Sequence, residues 1–521
     1  VGKLFKKPWH PLLFAAYPVL FLFAQNLNED VTFGNVIWPL VACVAAAALL
    51  FAVASAALRS IHKGGLLTSI LLVLFFSYGQ LLDFLHGRTI FADYTFLLCL
   101  WGALAVAAVV LIARTKRDVG VATGSLNVLA LAMVALNVVP ILTYNPQGAP
   151  PSASGPLPIP GVTHVPDSAK RDIYYLIFDR YPGPKTWTTL YHRDNSDLFG
   201  FLKREGFYTA DDSLANHLKT QHSLASSLNL KYLNYLHGEE QDAEADQTPV
   251  QNLLQNFRLA RFLKSLGYHY YHVGSWFPPT FEDPTADQNF HFNTWSQFSS
   301  RLLETTAWRG IRATLGIRDP FDFFLIQREH GLYEMDQLEH MTDLPGPRFV
   351  FAHILLPHPP YVFDRNGNFL DYEPVDQNKP RMFEQIKYTN TRMKELVSKL
   401  LAGPAATDPI IVIQSDEGPH PPRYQLDEDN FDWTTATDKE LGEKFRILNT
   451  YYLPGVSHDK LYPSISPVNS FRLIFDLYFG AKMPLLPDRS YVFHDWHHLY
   501  DFTDVTKRLR PGPAPSASPG P

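Results

Sequence analysis

The chain has 521 residues, 46% of them hydrophobic and 18% charged, with a formal net charge of −6. At about 100–200 residues per domain, this length excludes a single small fold. The charge is unevenly spread: 14 of the first 144 residues are charged against 82 of the remaining 377, for nets of about +4 and about −10. The first part is therefore too apolar for a soluble domain. The second is too acidic for a nucleic-acid binder, which presents a basic face.

Five apolar runs fill residues 1–144, at approximately Pro11–Leu27, Val36–Leu58, Leu66–Leu85, Tyr94–Ala113 and Val121–Tyr144. Each is of the order needed to cross ~30 Å of hydrocarbon, and each is apolar all round rather than on one stripe. Four further runs after the first exclude a cleaved signal peptide. Lys3, Lys6 and Lys7, then Arg59 and Lys63, then Arg114, Lys116 and Arg117 fall in alternate connections. The positive-inside rule puts those connections and the N-terminus in the cytoplasm. Five crossings would then place everything after Tyr144 outside. Asp83, the one acid well inside an apolar run, reads either as an interfacial carboxylate or as a polar group lining a lipid-entry groove.

Residues 145–168, with APPSASGPLPIPG at their centre, read as an extended Pro/Ser/Gly linker. Residues 169–507 then form a polar domain, and residues 508–521 (ending PGPAPSASPGP) a disordered tail. Both cysteines, Cys43 and Cys99, lie in the apolar part. The polar domain thus has neither disulfides nor a thiolate zinc site, which suits an oxidising, extracytoplasmic setting.

Within the polar domain, three short apolar runs each end in chemically capable residues. Ile173–Phe178 ends in Asp179, Phe349–Leu356 in Pro357 and His358, and Pro409–Ile413 leads to Asp416 and Glu417. Such runs, bounded by breakers, are how strands buried on both faces of a parallel sheet look. Stretches of helical spacing at Leu198–Glu205, Asn252–Leu266 and Met382–Leu401 intervene. The predicted fold is a multi-pass α-helical membrane domain followed by an α/β domain, mostly parallel sheet with helices on both faces. Active sites in such sheets lie at the carboxyl edge, where these three runs deliver Asp, His and Asp-Glu.

Adjacent carboxylates at Asp416 and Glu417 repel each other unless a cation or hydrogen bonds hold them, which favours metal ligation. Oxygen donors suggest Mg²⁺ or Mn²⁺, with Zn²⁺ and Ca²⁺ also open. Asp179 alone fits a turn or cap as readily as a ligand. His353 falls inside its strand and reads by default as a buried, satisfied histidine. His358 is fixed between prolines and is a candidate substrate contact. In NHLKTQHSLASSLN (216–229), Thr220 opens a helical segment with Ser223, Ser226 and Ser227 behind it. A hydroxyl there is either an N-cap or a nucleophile beside helix N–H groups suited to an anion.

These features together resemble the alkaline phosphatase and sulfatase superfamily, in its membrane-anchored branch of lipoteichoic acid synthase and phosphoethanolamine transferase type. The resemblance is carried by LIFDRY, KTQHS, LPHPPYVF and SDEG. It implies that Asp179 binds a divalent metal, that Thr220 is nucleophile and metal ligand, and that His358 contacts substrate. It also implies that Asp416 and Glu417 hold the position of an Asp-His metal pair, with Glu in place of His. Thr220-Gln221-His222-Ser223 cannot supply the formylglycine precursor of sulfatases, so phosphoryl transfer is favoured over sulfatase chemistry. Arg180, Lys219 and His353 are further substrate-binding candidates.

The expected function is a metal-dependent phosphotransferase or phosphodiesterase with one divalent ion. It would work through a phospho-threonine, on a lipid head group or envelope polymer outside the membrane, with the bilayer and no nucleic acid as partner. The alternatives are an ester hydrolase releasing its product to water and an inactive membrane-tethered scaffold.

Overall fold

The computed structural model describes residues 7–27, 33–85, 93–144, 159–162, 165–166, 170–237, 245–292, 297–317, 323–370 and 379–510. The chain divides into two compact units.

The first unit contains five apolar helices: α1 (His10–Gln25), α2 (Phe33–Leu58), α3 (Ile61–Leu85), α4 (Tyr94–Arg114) and α5 (Gly120–Thr143). The last four are long and apolar enough to cross a membrane. With 16 residues, α1 reaches about 24 Å at 1.5 Å per residue, short of a full ~30 Å core. Its start is tied to α5, where Asn127 accepts from the amides of Trp9 (3.0 Å) and His10 (2.9 Å). Those amides are among the donors that a helix start leaves unpaired.

Two shorter helices from much later in the chain, Gln297–Glu304 and Ala307–Leu315, belong to this unit as well. Gln297–Glu304 packs on α1 and α2 and Ala307–Leu315 on α3 and α4, and the Gly79 amide donates to the Thr305 carbonyl at 3.0 Å. A Cβ at Gly79 would sit 2.1 Å from the Glu304 carbonyl oxygen, so only glycine admits this approach. Asp83 faces the same insertion and pairs with Arg309 at 2.7 Å.

The second unit is built on a seven-stranded sheet. Its strands are β1 (Ile173–Phe178), β2 (Tyr208–Thr209), β3 (His269–Gly274), β4 (Gln288–His291), β5 (Arg348–Ile354), β6 (Ile410–Gln414) and β7 (Asn449–Tyr452). Their order is β2-β7-β6-β1-β5-β3-β4. From β6 to β4 all neighbours are parallel, while β7 and β2 run antiparallel at one edge. The three runs read as strands from the sequence are β1, β5 and β6, adjacent at the centre of the sheet.

Alternate residues of each central strand enter opposite cores, as a two-residue period demands. Ile173, Tyr175, Ile177, Phe349, Phe351 and Val412 lie in one, with Leu224 and Leu228 of helix α7 (Thr220–Asn229). Tyr174, Leu176, Phe178, Val350, Ala352, Ile411 and Ile413 lie in the other, with Leu198 and Leu202 of α6 (Ser196–Arg204) and with Ile386 and Met393 of the helix Lys379–Leu400. The sheet is thus covered by helices on both faces. The helical stretch expected at Asn252–Leu266 is divided instead: a short helix ends at Asn252 and a second spans Arg258–Ser265.

Two boundary assignments change. Ile159 and Val165, inside the expected linker, are buried in the α7-side core; the remainder of that stretch lies mostly outside the described residues. Residues 508–510, assigned to a disordered tail, are ordered. Arg508 pairs with Asp438 at 2.8 Å, Leu509 is buried, and Arg510 pairs with Asp212 at 3.3 Å. These side chains have partners that composition alone does not reveal. Residues 511–521 lie outside the described set.

Candidate metal and phosphate site

Strand parity builds the centre of the site. In β1 the α7-facing residues are 173, 175 and 177, so the next on that face is Asp179. In β5 they are 349 and 351, then His353; in β6 they run through Val412 to Gln414 and Asp416. The register pairs Ile177 with both His353 and Gln414, so the three ends lie side by side. Asp179, His353 and Asp416 accordingly bring one ligand atom each to within 4.8 Å of the others, and all three are buried.

The atoms at this centre are poorly satisfied. Neither oxygen of Asp416, nor Asp179 Oδ1, nor His353 Nε2 completes a hydrogen bond with a described residue. His353 Nε2 stands 3.4 Å from Asp179 Oδ2. Its other nitrogen, Nδ1, lies 2.7 Å from Thr280 Oγ1, which also meets Ser275 Oγ at 3.0 Å. With the proton on Nδ1, Nε2 would turn a lone pair toward the carboxylate. A lone pair and two carboxylates facing one another in a buried space are what a cation would satisfy. The residues fit one divalent ion.

Electrostatics separates the two aspartates. Burial, Asp179 and Glu417 raise Asp416 well above the usual carboxylate range, against a Thr220 hydroxyl that favours its ionised form. For Asp179, burial also opposes ionisation, but His358, His353 and Arg180 outweigh it and hold the group below its usual value. A dication at this point would favour the charged form of both.

Thr220 is the first residue of α7, after Lys219 in extended conformation. The other hydroxyls of the segment are committed elsewhere: Ser223 donates to the His217 carbonyl (2.9 Å), Ser226 to Lys231 (3.0 Å) and Ser227 to Leu224 (3.1 Å). Those three serines are buried, whereas Thr220 is half-buried beside Asp416.

Glu417 lies outside the Asp179–His353–Asp416 group. Its Oε1 meets Lys444 Nζ at 2.8 Å, Arg180 Nε at 3.0 Å and His420 Nε2 at 3.0 Å. Burial works against its charge, but Lys444, His420 and Arg180 prevail and keep it well below the usual range. Arg180 reaches this position from a left-handed backbone, φ 60°, immediately after Asp179, a conformation costing about 1–2 kcal/mol for a residue with a Cβ. Gly418 brings the next strand connection in closely; a Cβ there would lie 2.2 Å from the Glu443 carbonyl oxygen.

Lys219 is buried, with its ammonium donating to the Tyr424 hydroxyl and lying 4.1 Å from the Trp496 ring centre. Burial and the nearby Lys444 bring it down to about 7, although Glu417 and Glu428 oppose the shift. His358 is half-buried in the loop that follows β5, four residues past its end. Its Nδ1 meets the Pro359 carbonyl and its ring abuts Trp276. Burial and Arg180 lower its pKa, which favours the neutral ring with Nε2 as an acceptor.

Sequence reasoning put Asp179, His358, Asp416 and Glu417 at strand ends on one edge and Thr220 at a helix start. It assigned His353 to substrate and left out Lys444, His420, Tyr424 and Glu428. His420 was within reach, three residues beyond Glu417 in DEGPHPPR. Lys444, within DKELGEKF, carried no such signal.

No protein-family profile matches the chain, and no curated protein matches it in sequence. Among solved structures it is similar to the C-terminal periplasmic domain of EptC from Escherichia coli. That match has 12% identity and TM-score 0.43, and covers 68% of this chain and 97% of that one. A protein of the alkaline phosphatase superfamily from Vibrio parahaemolyticus matches at 12% identity and TM-score 0.41, over 67% and 79%. The lipoteichoic acid synthase LtaP from Listeria monocytogenes matches at 13% and 0.37, over 64% and 82%.

Proposed function

We propose that this protein is a membrane-anchored, metal-dependent phosphotransferase or phosphodiesterase of the sulfatase-like superfamily. It would act on a lipid head group or envelope polymer at the outer membrane face, with Thr220 as nucleophile. The observation that carries this reading is the Thr220 hydroxyl at a helix start, beside Asp416, in front of three buried and unsatisfied ligand atoms.

Asp179, His353 and Asp416, with the Thr220 oxygen, would hold the ion. When bound, it would lower the hydroxyl pKa and offset phosphate charge. The nitrogen donor fits Mn²⁺ or Zn²⁺ better than Mg²⁺ or Ca²⁺. The first-turn amides of α7, which a helix leaves without intrahelical partners, would suit phosphoryl oxygens, and its dipole favours their charge. Arg180 and Lys444 share the single Glu417 carboxylate, which offsets one of their two charges and fixes this edge; Lys219, the neighbour of the nucleophile, supplies a further, adjustable positive charge.

In the first half-reaction the Thr220 Oγ–P bond forms as the P–O bond to the donor alcohol breaks, and that alcohol leaves with a proton. In the second, an acceptor alcohol or water forms its own P–O bond, loses its proton and releases Thr220. His358 Nε2, as an acceptor, is suited to take that proton. Five crossings with the N-terminus inside would put the site at the outer face, in keeping with the loop charges.

The test is intact-mass analysis of the full-length protein in detergent after exposure to membrane lipids. A phosphoglycerol, phosphoethanolamine or phosphate adduct on Thr220 is expected. No adduct on wild type, with undiminished turnover in Thr220→Ala, would sink the proposal.

A further inference from the structure

Late in the α/β unit the sequence reads HDWHH, at 494–498, a motif the site described above does not use. His494 Nδ1 lies 2.7 Å from Asp495 Oδ2, and His498 Nδ1 lies 2.7 Å from Asp495 Oδ1. One ligand atom from each of the three residues falls within 4.8 Å of the others.

A second observation concerns the other nitrogen of His494, Nε2, which is 3.2 Å from Asp432 Oδ2. Asp432 is held in turn by the Thr434 amide (2.8 Å) and hydroxyl (2.6 Å), and the Trp433 amide donates to the His494 carbonyl at 2.9 Å. The two carboxylates together favour the protonated ring, and a divalent ion at Nδ1 would take the place of that proton while Asp432 keeps the one on Nε2. A carboxylate behind a ligating imidazole is also the usual outer partner of a metal-bound histidine.

We propose that His494, Asp495 and His498 form a second divalent-metal site of zinc type, with Asp432 orienting His494. Two imidazoles and one carboxylate suit Zn²⁺, and three protein ligands leave a coordination position open to water or an anion. The His494 and His498 side chains are 45% and 43% exposed, so an ion reaches them from solvent. The site is tied to the buried centre through Trp496. This residue lies between the ligands in sequence, and its ring lies 4.1 Å from the ammonium of Lys219, the neighbour of Thr220. Metal at the rim fixes the segment that lays Trp496 on Lys219.

The experiment uses full-length, metal-stripped protein in detergent, titrated with Zn²⁺ against a chromophoric chelator. His494→Ala/His498→Ala should bind one equivalent fewer than wild type, and the same difference should appear in an Asp416→Asn background. Comparison within that background separates this site from the buried one, whether or not the buried centre binds zinc. His494→Gln/His498→Gln repeats the measurement if the alanine pair folds poorly by circular dichroism. Zn²⁺ should also change the tryptophan emission of wild type, and this response should vanish in Trp496→Phe. Equal equivalents at equal affinity in wild type and the double variant would overturn the site. A response unchanged in Trp496→Phe would overturn its link to Lys219.

Discussion

Lys444 Nζ stands 2.8 Å from Glu417 Oε1, and neither side chain reaches solvent. With Arg180 and His420 on the same oxygen, the carboxylate next to Asp416 has protein cations as its partners. Lys444→Met should therefore destabilise the protein by about 3–5 kcal/mol, the range for removing one partner of a buried pair. Adding Glu417→Gln should recover part of that loss, because the under-compensated carboxylate goes with it while Arg180 gives up its partner. Chemical unfolding of the single and double variants measures the coupling. Additive losses would show that the pair is not a unit.

Metal affinity should divide the two adjacent carboxylates. Asp416→Asn and His353→Ala each remove a donor from the buried group and should weaken Mn²⁺ or Zn²⁺ binding by at least about tenfold. Glu417→Gln should leave affinity within about threefold, since its Oε1 is already engaged by Lys444, Arg180 and His420 and the residue stands outside the three-ligand group. Calorimetric titration of each variant distinguishes these ligand sets. Equal losses in all three would return Glu417 to the metal.

Turnover should depend on the Thr220 hydroxyl. Thr220→Ala should abolish transfer while the fold persists, because losing a residue at a helix start costs only about 1 kcal/mol. Thr220→Ser should keep part of the activity. Activity of the alanine variant within about tenfold of wild type, roughly 1.4 kcal/mol in the barrier, would assign Thr220 to structure.

Stability should fall with rising pH through Glu334. This residue is fully buried on the helix Phe323–His340, and burial raises its carboxyl well above its ordinary value of 4.5. The folded state therefore holds the proton at pH values where the unfolded chain has lost it. The stability this confers is complete below the unfolded value and is lost as pH climbs toward the folded one. Glu334→Gln removes that slope. Its thermal midpoint should gain on wild type steadily from about pH 4 to pH 8; a constant difference would place the titration elsewhere.

Topology is open to labelling. Single cysteines near Ser154 should react with impermeant reagents from outside, and cysteines in the Arg114–Arg117 connection only after permeabilisation. The reverse pattern would place the site in the cytoplasm.

The apolar helices were legible because a chain without side-chain polarity has one stable setting for its backbone, and that signature is local. Strands β1, β5 and β6 were legible for a related reason: burial on both faces writes an unbroken apolar run. Strands β3 and β7 escaped because HYYHVG and NTYY mix polar and aromatic residues, and their pairing is set by neighbours distant in sequence. The insertion Gln297–Leu315 reads as two ordinary amphipathic helices. Only Gly79, Asp83 and Arg309, far apart in the chain, decide what it packs against.

The same division runs through the site. Asp179, His358, Asp416 and Glu417 follow apolar strands, so sequence alone put them at one edge; Thr220 opens a helix and joined them through the family resemblance. Sequence could not decide which partner completes the group. His353 joins because three strands share a register that puts residues 179, 353 and 416 on one face, and registers between distant strands are tertiary facts. Glu417, adjacent to Asp416, points off that face and meets Lys444, whose charge only the folded chain brings within 3 Å.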